Sequence, residues 1–239
     1  MLLITCGGYG ARLDTFNGPK CLAPIPIYNQ NGTETILDRQ LRQLTELGVV
    51  DQVHLLLGFQ ADMVKKKYPD LKYFMITDPN HPKNIVSGIA DFLNQYAGTR
   101  YTFLLGDTVW HTQRLAMVFD RMEHPRGITY FASMNHVGGE TFAVRVFNDT
   151  GDGYFRRICT EKPDIISPFG KKSQLTSRSY VKTMPFENAR LNDFFSHMLV
   201  HLDPNYRKTV VKPVEDIDNP EEWEEIGEMI KKGVFDDRN

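Results

Sequence analysis

The apolar run Leu2-Leu3-Ile4-Thr5-Cys6 passes directly into Gly7-Gly8-Tyr9-Gly10-Ala11-Arg12, and Pro19-Lys20 follows. A short apolar run of this kind is a buried strand. Three glycines in the next four positions let the main chain approach a ligand closely, because glycine lacks a Cβ and tolerates positive φ. Successive backbone N–H groups in such a loop suit phosphate. Arg12 and Lys20, one a planar fork and one a point charge, stand where a polyphosphate needs further cations. This opening predicts a nucleotide site and rejects the two commonest phosphate loops. Leu13 occupies the position of a dinucleotide loop's third glycine, and Lys20 lies between Pro19 and Cys21 instead of within Gly-Lys-Ser/Thr.

The rest of the chain fits around a strand of that kind. Residues 35–47 carry Ile36, Leu37, Leu41, Leu44 and Leu47 at helical spacing, and Gly48 supplies the stop. Strands are expected at 53–57, 72–76 and 101–105, with a short helix at 62–68 and a longer one at 83–96. The β-α-β-α-β-α-β order predicts a mostly parallel sheet covered on both faces, a Rossmann-like three-layer α/β/α fold whose ligands bind beyond the strands' carboxyl ends. Beyond it come a helix at 112–122 and a strand at 127–134. Residues 141–147 and 154–160 read as a β-hairpin, 164–190 as loop or lid, and Asn219-Pro220 as the cap and first position of a last helix. The chain reads as one domain. Its nucleotide-binding half spans about 1–110 and its acceptor-binding half and lid about 127–215, with 216–239 forming a metal-ligand and helix segment.

Composition narrows the function classes. A net charge of −2, with acids and bases interspersed, leaves no footprint for nucleic acid or an anionic membrane. Cys6, Cys21 and Cys159 show no metal-ligand spacing and are expected to be reduced thiols in a cytoplasmic protein. A small-molecule reaction is the default, and the chain is compatible with a homo-oligomer. Asp107 follows the apolar strand at 101–105, and Asp218 closes a late acidic run before the last helix. Mg²⁺ takes one or two protein carboxylates and fills its octahedron with water and substrate phosphates, so Asp107 and Asp218 are its expected ligands.

Residues 7–12 with Pro19-Lys20-Cys21-Leu22-Ala23-Pro24-Ile25 resemble the signature of the sugar-phosphate nucleotidylyltransferases, a branch of the NTP transferases in short single-domain form. The likeness extends through 36–48, Asn84-Ile85-Val86-Ser87-Gly88, Gly106-Asp107, Glu161-Lys162-Pro163 and 217–223; Ala11 stands where that family has Thr or Ser. The resemblance implies a nucleotide-diphospho-sugar transferase type of fold, with Mg²⁺, an NTP and a phosphorylated small-molecule acceptor. It assigns Gly7, Gly8, Gly10 and Ala11 to the triphosphate, Arg12 to its β and γ oxygens, and Lys20 to the α-phosphoryl group. Asn84 and Ser87 go to the base or ribose, Glu161 and Lys162 to the acceptor, and Asp107 and Asp218 to the metal, with Asp216 as second choice. The implied reaction moves NMP from an NTP to a sugar 1-phosphate, releasing pyrophosphate. Alternatives are a cytidylyltransferase acting on a phosphorylated amino alcohol or polyol, a nucleotide-sugar-dependent glycosyltransferase, which the Asp216-x-Asp218 pair would suit, and a non-catalytic nucleotide-sensing module.

Overall fold

The computed structural model describes residues 1–7, 13, 16–76, 88, 92, 95, 100–119, 127–132, 141–147, 164–166, 172–174, 207–210, 214–216 and 219–235; for the strands between 127 and 216, as for Arg100 and Tyr101, the description is of backbone. Its centre is β1 (Leu2–Thr5). On one side lie β4 (Val53–Leu57) and then β5 (Lys72–Met75), both parallel to their inner neighbour. On the other lies β6 (Arg100–Leu105), parallel to β1 with Leu2 opposite Thr102 and Thr5 opposite Leu105. Beyond β6 come β9 (Thr141–Phe147) and β8 (Gly127–Ala132), antiparallel to their inner neighbours, and then β12 (Arg207–Val210), parallel to β8. The seven-stranded sheet is therefore mostly parallel, as expected, but β9 runs against it between β6 and β8.

Strand alternation splits the chain between two sheet faces. Leu2, Ile4, Val53, Leu55, Leu57 and Leu104 pack against three helices: α1 (Ile36–Glu46), α2 (Ala61–Lys67) and α3 (Thr112–Phe119). The intervening residues of β4 face the other way. There the His54 and Phe74 rings meet Phe92 edge-on, and a Cβ on helical Gly88 would lie 2.9 Å from the Leu56 side chain. With both faces covered, this is the three-layer architecture.

A second core lies beside the first. The hairpin of β2 (Pro24–Pro26) and β3 (Thr33–Thr35) joins Leu13, Ile36 and Val109 under Ile226, Ile230 and Phe235. The last two helix-borne residues belong to α4 (Pro220–Lys231), whose cap is the expected one: Asn219 accepts from the Glu222 N–H at 2.9 Å, with Pro220 at the first position. Trp223 donates its indole N–H to the Pro24 carbonyl at 2.8 Å, and Arg39 donates to the Phe235 carbonyl at 3.0 Å. The chain's end is thereby fixed to its beginning.

Three elements differ from the sequence reading. Residues 108–110 form a short strand, β7 (Thr108–Trp110), antiparallel to β13 (Val214–Asp216). Within the stretch expected as loop or lid, β10 (Asp164–Ile166) pairs antiparallel with β11 (Lys172–Gln174). The buried stripe of α1 is also rotated: Gln40 and Gln43 are fully buried while Leu41 and Leu47 are only partly so. Amide side chains lie on that stripe because strand-end carbonyls stand ready to receive them. The second strand of the expected hairpin, 154–160, lies outside the described residues.

Candidate active site

In an open parallel sheet, the crevice for a ligand lies at the carboxyl ends of the strands where the order reverses. Here the chain moves from β1 outward through β4 and β5, then returns to place β6 on β1's other flank. The reversal therefore lies between β1 and β6, whose carboxyl ends are Gly7 and Gly106-Asp107.

Glycines close the floor of that crevice. The Cys6 N–H donates to the Leu56 carbonyl at 2.8 Å and the Gly106 N–H to the Thr5 carbonyl at 3.1 Å, so hydrogen bonding continues past the strand ends. A Cβ on Gly7 would lie 2.6 Å from Ile76 Cδ1 and 3.1 Å from the Gly58 nitrogen. One on Gly106 would lie 2.7 Å from the Thr5 carbonyl oxygen and 2.9 Å from Cys6 Sγ. These contacts are too short for side chains, and they draw three strand ends together. Gly7 is thus required for the approach of β4, whatever it does for a nucleotide.

Lys20 reaches the crevice from a 3₁₀ turn, Lys20–Leu22. Pro19 opens the turn in extended geometry, its carbonyl accepts from the Leu22 N–H at 2.8 Å, and the Lys20 carbonyl accepts from Ala23 at 2.8 Å. Cys21 and Leu22 are buried beneath it. The Lys20 ammonium lies 3.5 Å from Asp107 Oδ2, and the two side chains are 11% and 29% exposed. A cation from one side of the reversal and a carboxylate from the other thus meet in a partly solvated place, where a charged substrate could enter between them. Leu13, at the far end of the glycine loop, is buried in the second core and fixes the loop's exit.

The second acidic segment is brought back by β13. Its register sets Asp216 opposite Thr108, the residue after Asp107. The backbone thus places a second aspartate position beside the segment that carries Asp107. Among the described residues no group of three or more His, Cys, Asp or Glu gathers, so a fully protein-made metal cage is not found there. Gly8, Gly10, Ala11, Arg12, Asn84, Ser87, Glu161, Lys162 and Asp218 lie outside the described residues.

Two features of the site escaped the sequence reading. Cys6 and Cys21 are free thiols, as expected, but the sequence did not show that they are buried against each other. The hydrogen bond with Cys21, burial and the nearby negative charge of Asp107 push the Cys6 thiol well above its usual range, so it stays protonated. The other is the amide of Gln40, which donates to the carbonyls of Leu105 and Thr108 at 2.9 and 2.8 Å, on either side of Asp107. The available signal was a glutamine on the apolar stripe of α1, spaced i, i+3, i+7 with Leu37 and Leu44.

Solved structures with the same architecture come from enzymes of varied acceptor. A Bacillus anthracis protein assigned as a glucose-1-phosphate thymidylyltransferase aligns over 96% of this chain and 94% of its own, at 12% identity and a TM-score of 0.63. The inositol-1-phosphate CTP transferase of T. maritima aligns over 97% and 94%, at 10% identity and a TM-score of 0.58. The CTP:phosphocholine cytidylyltransferase of Streptococcus pneumoniae aligns over 96% and 98%, at 17% identity and a TM-score of 0.54. At such identities the likeness is one of fold. No curated protein matches by sequence. Among the described residues, no helix is long and apolar enough to cross a membrane. The family model of the MobA-like NTP transferase domain matches residues 2–148, more than half of the chain, and the protein belongs to that family.

Proposed function

We propose that this chain is a nucleotidyltransferase that moves NMP from an NTP to a phosphorylated small molecule, with a sugar 1-phosphate as the first-choice acceptor. The observation that carries the reading is the meeting of Lys20 and Asp107, 3.5 Å apart at the reversal between β1 and β6. Family membership and the fold neighbours support the same reaction class.

In this reading an oxygen of the acceptor phosphate forms a bond to the α-phosphorus while the bond to the bridging oxygen breaks, and pyrophosphate leaves. A phosphate monoester, with a second pKa of about 6, is a dianion at neutral pH, so the protein needs no general base. Catalysis is then positioning in line and stabilisation of charge. Backbone amides at Gly7, Gly8, Gly10 and Ala11 hold the triphosphate, Arg12 neutralises its outer oxygens, and Lys20 turns from Asp107 to the α-phosphoryl oxygens as charge grows there. Mg²⁺, held by Asp107 with Asp218 or Asp216, would offset triphosphate charge when bound. Asn84 and Ser87 face the base or ribose, and Glu161 and Lys162 the acceptor.

A phosphorylated amino alcohol or polyol is the second acceptor class, favoured by the phosphocholine and inositol-1-phosphate enzymes among the fold neighbours. The test is a matrix of NTPs against sugar 1-phosphates, phosphocholine and polyol phosphates, scored by pyrophosphate release with Mg²⁺ present. One NTP and one acceptor class should give release, and Asp107→Asn should reduce it roughly 10²–10³-fold, the scale on which a preorganised charge partner acts. Folded protein that releases no pyrophosphate in any combination would leave the nucleotide-sensing module as the better reading.

A further inference from the structure

We infer that Gln40 is a positioning residue for the site: from inside α1 it sets the turn that aims Asp107. The inference rests on the role given to Asp107 above.

Gln40 is fully buried, and its Nε2 carries two hydrogens. Both are used on one short piece of chain, the Leu105 carbonyl at 2.9 Å and the Thr108 carbonyl at 2.8 Å, which flank Gly106-Asp107. Other ties on this turn are local or come from β1, from Lys20, which meets Asp107, and from β13, which pairs with Thr108. Thr108 Oγ1 donates to the Leu105 carbonyl at 2.9 Å and accepts the Trp110 indole N–H at 2.9 Å, and the Gly106 N–H donates to Thr5. Gln40 reaches the turn from α1, and one nitrogen spans both of its ends. Among the described residues no donor reaches its equally buried Oε1.

Gln43, one turn further along the same stripe, is the internal control. It is also fully buried, its Oε1 also meets no donor among the described residues, and its Nε2 donates to the Trp110 carbonyl at 2.8 Å and Thr112 Oγ1 at 3.0 Å. The two glutamines are chemically alike but hold different places. Gln40 grips the turn bearing the carboxylate, whereas Gln43 grips the far end of β7.

The experiment compares Gln40→Met with Gln43→Met; Gln40→Asn, which keeps the donors but withdraws them by one methylene, serves if Gln40→Met does not fold. Amide hydrogen exchange at residues 106–108 should quicken at least tenfold in the Gln40 variants, while Cys6 and Phe59 exchange as before; Gln43→Met should leave 106–108 unchanged. With the NTP and acceptor found active, Gln40 variants should lose roughly 10- to 50-fold in kcat, keep KM for the NTP within about threefold, and need at least fivefold more Mg²⁺ for half-maximal rate. Gln43→Met should stay within about threefold in all three. Asp107→Asn is measured alongside. Should it be inactive while Gln40→Met matches Gln43→Met in exchange and rate, the inference fails and the reading of the site stands. If Asp107→Asn keeps full turnover, the reading itself is overturned, and the positioning role with it, even where exchange shows that Gln40 grips the turn.

Discussion

Two of the apolar cores found among the described residues are of unlike origin. The first, between the sheet and α1 to α3, draws its buried members among the described residues from positions 2 to 118. The second contains Leu13, Ala23, Ile25, Ile36 and Val109 from the N-terminal part, and is closed by Ile226, Ile230 and Phe235 from the C-terminal segment. One is built from neighbours in sequence, whereas the other requires the chain to return across nearly its whole length. β7 lies on the boundary between them, with Val109 in the second core and Trp110 in the first. The site's carboxylate turn immediately precedes this strand, so it is held by both cores at once.

The comparison is broken most forcefully by emptying each core in turn. Trp110→Ala and Phe235→Ala, both at fully buried positions, should each cost about 3–5 kcal/mol in urea unfolding. If the cores are one cooperative unit, both variants unfold in a single transition. Should Phe235→Ala show an early separate transition with a reduced m-value for the main one, the second core is an independently melting layer.

A smaller cut tests the closure without opening a cavity. Trp223→Phe removes the indole N–H that serves the Pro24 carbonyl and should cost roughly 0.5–1.5 kcal/mol. The same substitution should weaken protection at 214–216 in hydrogen exchange and leave β4 untouched. Equal loss at β4 would mean that the closure supports the first core as well.

One pH dependence arises at His54, on the sheet face opposite the first core. Burial holds His54 below its usual pKa, with Lys72 and the N-terminal charge acting in the same direction against the hydrogen bond to the Gln52 carbonyl. A depressed pKa means that the unfolded chain binds the proton more readily, so stability falls as pH drops below the unfolded value of about 6.5. His54→Gln should flatten that part of the stability–pH curve without moving the transition of the second core. An unchanged slope would exclude His54 as its source.

The least effect is expected at the edge of the first core, where Lys67 meets Asp38 at 2.5 Å in a pair more than one-third exposed on the lysine side. Burial opposes the Asp38 charge, but hydrogen bonds from Lys67, Thr35 and Tyr68 outweigh it and hold the pKa below the usual carboxylate value. Thr35 and Tyr68 remain after Lys67→Met, so melting should shift by no more than about 0.5 kcal/mol. A larger shift would make this corner part of the core instead of its rim.

Legibility in the sequence follows the same division. β1, β4, β5, β6 and α1 could be read because each carries its own pattern, a short apolar run or a stripe ended by Gly48, whose φ is +68°. The α4 cap could be read from Asn219-Pro220 alone. What pairs with what is another matter. The three-residue β7 has no period of its own, and it exists because β13 returns to it. The entry of β9 between β6 and β8 is likewise a property of the assembled sheet. At the site, Asp107 was legible from its place after an apolar strand. Lys20 was legible from its place after a proline beyond a glycine loop. Gln40 was not, since a single glutamine on a helix looks solvated until the carbonyls it serves are known.

The glycine floor has a consequence for anyone altering this enzyme's preferences. Gly7 and Gly58 meet backbone to backbone and Gly106 lies on the backbone of Thr5, so these three positions offer the crevice no side chain with which to tell one substrate from another. Selectivity has to be written on the walls. A mutant library aimed at a new base or acceptor should therefore leave these three codons fixed and spend its diversity on the segments that rise around them, where changes can accumulate without disturbing the ground they stand on.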